Sequence, residues 1–160
     1  MRFKRIAVWI VVSAFLITVA GLGLEGVWAQ EEQPLTATTG AGSDATLLAK
    51  GAAVQVPVVY TCVAASGVTI ESGYVEVRLD QVVKKVVYRA YGSVSLKPVC
   101  DGLQHSVDVV VYTQYNGIPF RKSLALATVT FNVFGRDLSG GEYGGYVSAY
   151  ATSATELKVQ

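Results

Sequence analysis

Histidine occurs once in this 160-residue chain, cysteine twice, methionine once and proline four times, and charged residues make up only 16% of it. Each shortage excludes something. The single histidine, His105, is the only base available to a Ser-His-Asp triad. It opens a strand just after a turn signal, where a surface or strand-end histidine is expected instead. The two cysteines, Cys62 and Cys100, have neither CxxC spacing nor a neighbouring histidine, so they do not read as a redox or metal motif. No nucleotide-binding loop and no metal-ligand spacing is present, and no cofactor is expected.

What is present begins with an export signal. Met1-Arg2-Phe3-Lys4-Arg5 is a positive n-region, and Ile6 to Ala20 is an apolar run broken only by Ser13 and Thr18. Val27-Trp28-Ala29 supplies residues a signal peptidase accepts, which predicts a signal peptide over residues 1–29 and a mature start at Gln30. The same run is long enough to remain in a bilayer as an anchor. That is the one route by which a membrane enters the expected partners.

Cleavage leaves 131 residues with 10 basic against 11 acidic groups. A near-neutral chain lacks the concentrated basic field that phosphate binding needs, so nucleic acid is not an expected partner. The size fits one domain. An even cysteine count in an oxidising compartment predicts a Cys62–Cys100 disulfide.

The strand signal is clearest at 54–62. Val54, Val56, Val58, Tyr60 and Cys62 share one face at the period of two, with Gln55 and Thr61 on the other. Pro57, also on that other face, marks an edge, a bulge or a place where pairing switches. Residues 30–44 are small and polar with Gly and Pro, and read as a flexible spacer. Ala45 to Ala49 reads as a first short strand, or as a segment that pairs in trans with another subunit.

Further alternation predicts strands over 74–80, 86–99 with an interruption at Gly92, 106–115, 123–134 and 146–159. Residues 81–85 break the pattern. Asp101-Gly102 and Asn116-Gly117 are hairpin turn signals. Such strands, with no 3.6-residue period in the mature chain, predict an all-β domain over 45–160. The expected form is an antiparallel immunoglobulin-like sandwich of seven to eight strands with one disulfide, preceded by a signal-peptide helix. Trp9 and Trp28 both fall in the signal region, so the core tryptophan usual in antibody domains is absent.

The valine-rich strand closing on Tyr60-Thr61-Cys62, the later Cys100-Asp101-Gly102 and the Ala125-x-Ala127 strand resemble small secreted bacterial immunoglobulin-like domains of the actinobacterial type. The resemblance covers roughly residues 50–134 and implies a fold rather than an activity. The enediyne-binding apoproteins are similar in architecture but carry two disulfides at other spacings.

Several polar constellations have plainer readings. Glu76 and Asp80 share a face with Arg78 between them, and with Asp108 on a neighbouring strand they would form a glycosidase-like carboxylate set. A solvated charged face is the expected reading. Asp101, Asp137 and Glu142 sit in turns without calcium-loop spacing. Lys84-Lys85 and Arg121-Lys122 are two short basic pairs of the kind that protects sheet edges.

Tyrosine is the informative residue: all nine follow residue 29, and Tyr143, Tyr146 and Tyr150 cluster around a glycine-rich stretch near the C-terminus. Tyrosine offers a large contact area with one polar tip, which makes these three the candidate contacts for a ligand or partner. The sequence therefore predicts a non-catalytic binding or adhesion module of the envelope or extracellular space, acting on a protein or glycan. The alternative is a structural subunit that assembles through sheet edges.

Overall fold

The computed structural model describes residues 33–114, 117–141 and 144–160. The segment expected to be a signal peptide, residues 1–29, and its expected cleavage site fall outside them, as does Tyr143. The strands are β1 (Leu35–Ala41), β2 (Asp44–Leu48), β3 (Ala53–Ala64), β4 (Val68–Val83), β5 (Val86–Leu96), β6 (Asp101–Tyr112), β7 (Leu124–Asp137) and β8 (Gly145–Val159). Pairing runs β1-β3-β2-β8-β7-β4-β5-β6, and β6 returns to β3. No helix among the described residues is long and apolar enough to cross a membrane.

Two of these links are short. β2 meets β8 in parallel over only Asp44–Lys158 and Ala45–Val159, and β5 meets β6 at the single pair Tyr91–Tyr112. Elsewhere long antiparallel ladders dominate, so the strands form two layers joined at their margins. One layer holds β1, β2, β3 and β6, and the other holds β8, β7, β4 and β5. This is an immunoglobulin-like sandwich.

The alternation on β3 produces the core of the first layer: Val54, Val56, Val58, Tyr60 and Cys62 are all buried. Ala125, Ala127, Val129, Phe131 and Val133 on β7 and Val75, Val77 and Leu79 on β4 face them from the second. The Tyr60 and Phe131 rings meet across the layers at 4.8 Å, the contact that stands in place of a core tryptophan. The bridge between Cys62 and Cys100 forms as expected. Because Cys100 directly precedes β6, it ties neighbours within one layer, whereas the antibody bridge crosses between layers.

Pro57 is explained by the pairing on either side of it. One edge of β3 pairs with β1 up to Ala41–Val58 and then with β2 from Thr46–Gln55. Gly42 donates to the Pro57 carbonyl at 2.9 Å. The N–H and C=O of a strand residue point the same way, so the donor proline lacks would have aimed at the hand-over between two strands. β3 is therefore a central strand that tolerates proline where its partner changes.

Several expectations are corrected. Residues 30–44 are not simply a spacer, because residues 35–41 form β1 in seven-residue register with β3. Of residues 45–49, read as a short strand or as a segment pairing in trans, residues 45–48 are a strand that pairs within the chain as part of β2, and Ala49 opens a 3-10 turn. Asp101-Gly102 is not a hairpin but the start of β6. Between Thr61–Gln104 and Val63–Asp101 the longer β6 side carries one extra residue. Gly102 takes φ 80° at this bulge, and Asp101 Oδ1 accepts from the Leu103 N–H at 2.9 Å.

The interruption read at Gly92 is a continuous strand in which glycine is required: a Cβ there would lie 2.3 Å from the Val110 carbonyl oxygen. The break read at 81–85 is the end of β4 and a two-residue hairpin. Gln81 and Val83 continue the buried face of β4, and Lys84 and Lys85 occupy the turn with φ of 51° and 68°.

Candidate aromatic face of the four-stranded layer

The outward residues of β8, β7, β4 and β5 line up in rows set by strand register. Tyr150, Asn132, Tyr74 and Ser95 form one row, and Thr152, Thr130, Glu76 and Ser93 the next. Ala154, Thr128, Arg78 and Tyr91 follow, then Glu156, Leu126, Asp80 and Arg89. The period of two that buries Val75, Val77 and Leu79 is what turns Tyr74, Glu76, Arg78 and Asp80 outward.

Of the expected contact residues, Tyr146 and Tyr150 lie on β8 itself, 73% and 64% exposed. The strand fixes their direction. Tyr146 lies opposite Arg136, whose guanidinium is 5.2 Å from the ring centroid. The Arg136 Nε in turn donates to Glu71 Oε1 at 2.6 Å. That carboxylate, first as hydrogen-bond acceptor and then by its charge, holds Arg136 protonated beyond its ordinary range. Tyr74 stacks on Phe134 with centroids 6.2 Å apart. Tyr146, Phe134, Tyr74 and Tyr150 thus make an aromatic strip at one end of the face.

A second aromatic group was not legible in the sequence. Tyr91 on β5 and Tyr112 on β6 are brought together by the one pair joining those strands. With Glu76, Gly92, Ser93 and Val110 they line an open groove of about 370 Å³. Gly92 lets the strands approach this closely. Glu76 is exposed and takes part in no ion pair among the described residues. It is the one carboxylate available in the groove.

The other carboxylates are committed. Asp80 accepts from Arg89 Nε at 2.7 Å, and Arg78 Nε approaches its other oxygen at 3.3 Å without hydrogen-bond geometry. The Asp80 hydrogen bond and charge raise the Arg89 pKa. Asp108 lies on β6, in the other layer, and accepts from Gln55 Nε2 at 2.7 Å. The fold thus separates Asp108 from Glu76 and Asp80.

His105 is 2.9 Å from Asp101 Oδ1 and 5.6 Å from the Tyr60 ring centroid. Its hydrogen bond, followed by that of the Leu103 N–H, lowers the Asp101 pKa below its ordinary value. Asp101 and Asp137 each accept a backbone N–H two residues on, from Leu103 and Ser139, so Asp101 braces the bulge of β6 and Asp137 caps the turn after β7. Glu142 lies outside the described residues. No three His, Cys, Asp or Glu side chains among the described residues converge as a metal set.

No family model matches this chain, and neither does any curated protein. The reading of its function therefore rests on the face itself.

Proposed function

We propose that this protein is a secreted, non-catalytic binding module that holds an extracellular glycan or protein on the outer face of its four-stranded layer. The observation that carries this reading is the arrangement of exposed aromatics on a rigid sheet: Tyr146, Tyr150 and Tyr74 in a strip, and Tyr91 and Tyr112 around Glu76. Aromatic rings on a preformed surface give contact area at low entropic cost. A groove of about 370 Å³ is at the small end of ligand sites. It suits a sugar residue, whose C–H faces lie on tyrosine rings and whose hydroxyl groups donate to a carboxylate. The disulfide fits an oxidising, extracellular setting.

The test is binding of the purified protein to separated polysaccharide and surface-protein fractions of the producing cells, by biolayer interferometry. Two variants are compared, Tyr146→Ser with Tyr150→Ser, and Tyr91→Ser with Tyr112→Ser. Their side chains point outward, so at least one pair should weaken binding tenfold or more while the melting temperature moves by less than about 2 °C. Wild-type binding retained in both pairs overturns the proposal.

A further inference from the structure

The two basic pairs, distant in sequence, end at the same place. β4 and β7 pair as far as Asp80–Leu126, and both Arg121 backbone groups bond the Gln81 side chain at the end of β4. This sets Arg121-Lys122 at the end of the layer that carries the Lys84-Lys85 turn, three residues beyond Gln81, and Lys158 pairs with Leu124 on the adjoining strand. All five cations are exposed, and none is ion-paired among the described residues. The neighbouring acids are Glu156, Asp44, which lies opposite Lys158 and accepts from Ser43 Oγ and Gln160 Nε2, and Asp80, already held by two arginines.

Between these cations the surface is aliphatic apart from two carboxylates, Asp80 and Glu156, which share the lining of the depression. Val82 is 63% exposed and Leu124 59%, and with Val87 and Leu126 they line an open depression of about 430 Å³. Val86, beside the turn, is exposed as well. An exposed aliphatic patch with an excess of unpaired cations around it marks an interaction site for a partner with both properties.

We propose that this end of the sandwich docks onto an anionic phospholipid surface. The cations meet phosphate oxygens while Val82, Val87 and Leu124 enter the boundary between headgroups and acyl chains. A second copy placed by a twofold axis would set five cations against five, which disfavours self-association. A soluble polyanion would leave the aliphatics uncovered. The turn supports the same reading: both central positions have positive φ, where Asn-Gly is the unstrained choice, yet both are lysine. Charge is placed at the tip in spite of the backbone.

The experiment is co-flotation of the protein with vesicles of phosphatidylcholine alone or with about 30% phosphatidylglycerol, whose headgroups give the surface a negative potential. Binding is expected only to the anionic vesicles. Lys84→Asn with Lys85→Gly removes two charges while giving the turn its preferred residues. It should weaken vesicle binding about 30-fold, at about tenfold per 1.4 kcal/mol and about 1 kcal/mol per cation, with an unchanged or higher melting temperature. Val87→Ser with Leu124→Ser should also weaken it. Equal binding to neutral vesicles, no vesicle binding, or full binding by the turn variant overturns the proposal. So does competition by soluble polyphosphate combined with indifference to the two serine substitutions, which would indicate a polyanion site.

Discussion

Gln81 is the one buried polar side chain among the described core residues, fully inaccessible on the inward face of β4. Its amide acts as a stand-in for a strand partner. Nε2 donates to the Arg121 carbonyl at 2.8 Å and to Ser123 Oγ at 3.0 Å, and Oε1 accepts from the Arg121 N–H at 2.9 Å. The loop before β7 is thereby fastened to the end of β4. Gln81→Met keeps most of the volume and removes all three bonds. An unmade bond at a buried backbone group costs about 1–3 kcal/mol, and water reaching the exposed Arg121 offsets part of it. A loss of about 2 kcal/mol is expected for Gln81→Met. Gln81→Ala adds a cavity and should cost about 1 kcal/mol more. Urea unfolding followed by circular dichroism gives both values, and hydrogen exchange should show residues 117–123 opening well before the sheet. If Gln81→Met lies within about 0.5 kcal/mol of wild type, the amide is not a clamp and the account of this end of the domain is wrong.

Other outcomes follow from the same structure. Replacing Cys62 and Cys100 by alanine should cost about 4 kcal/mol, since the bridge closes a loop of sequence separation 38; chemical unfolding with a loss under about 1 kcal/mol would contradict this. Gly92→Ala forces a Cβ against the Val110 carbonyl, and a melting temperature within about 1 °C of wild type would show that β5 and β6 are not in contact there. Asp101 has a depressed pKa, chiefly through its hydrogen bond from His105, and Asp137 through those from Ser139. The stability each contributes is complete above the ordinary value of 3.8 and is lost as pH falls through the lower folded value. Asp101→Asn should therefore flatten the acid limb of a stability-against-pH curve below that point, and an unchanged slope would refute the assignment.

Legibility in the sequence tracked side-chain size. β3 and β7 carry large apolar residues at every second position, and their inward faces were evident. β1 has one such residue, Leu35, followed by threonine, alanine and glycine; backbone pairing with β3 makes it a strand, and composition alone reads it as a linker. Asp101-Gly102 reads as a hairpin because a bulge and a type I′ turn both ask for positive φ. The β4–β5 turn carries no such signal because lysine is not a turn residue. For the site, outward Tyr74 follows from alternation, whereas Tyr146 and Tyr150 stand out by clustering around glycines and prove to lie on β8. The Tyr91–Tyr112 groove depends on which strands of different layers touch, and no local pattern carries that.

Placing the disulfide inside one layer has a mechanical consequence. β1 starts opposite Ala64 and the chain leaves β8 at the far end, so a pull between residues 35 and 160 runs along the strands. It loads the β1–β3 ladder in shear, all seven pairs together. Once that ladder gives way, the 38-residue separation between Cys62 and Cys100 stays closed. At about 3.3–3.6 Å per residue, this withholds about 130 Å of extension. Under tension the oxidised domain would open as a short tether around a sealed loop, and reduction would lengthen that tether.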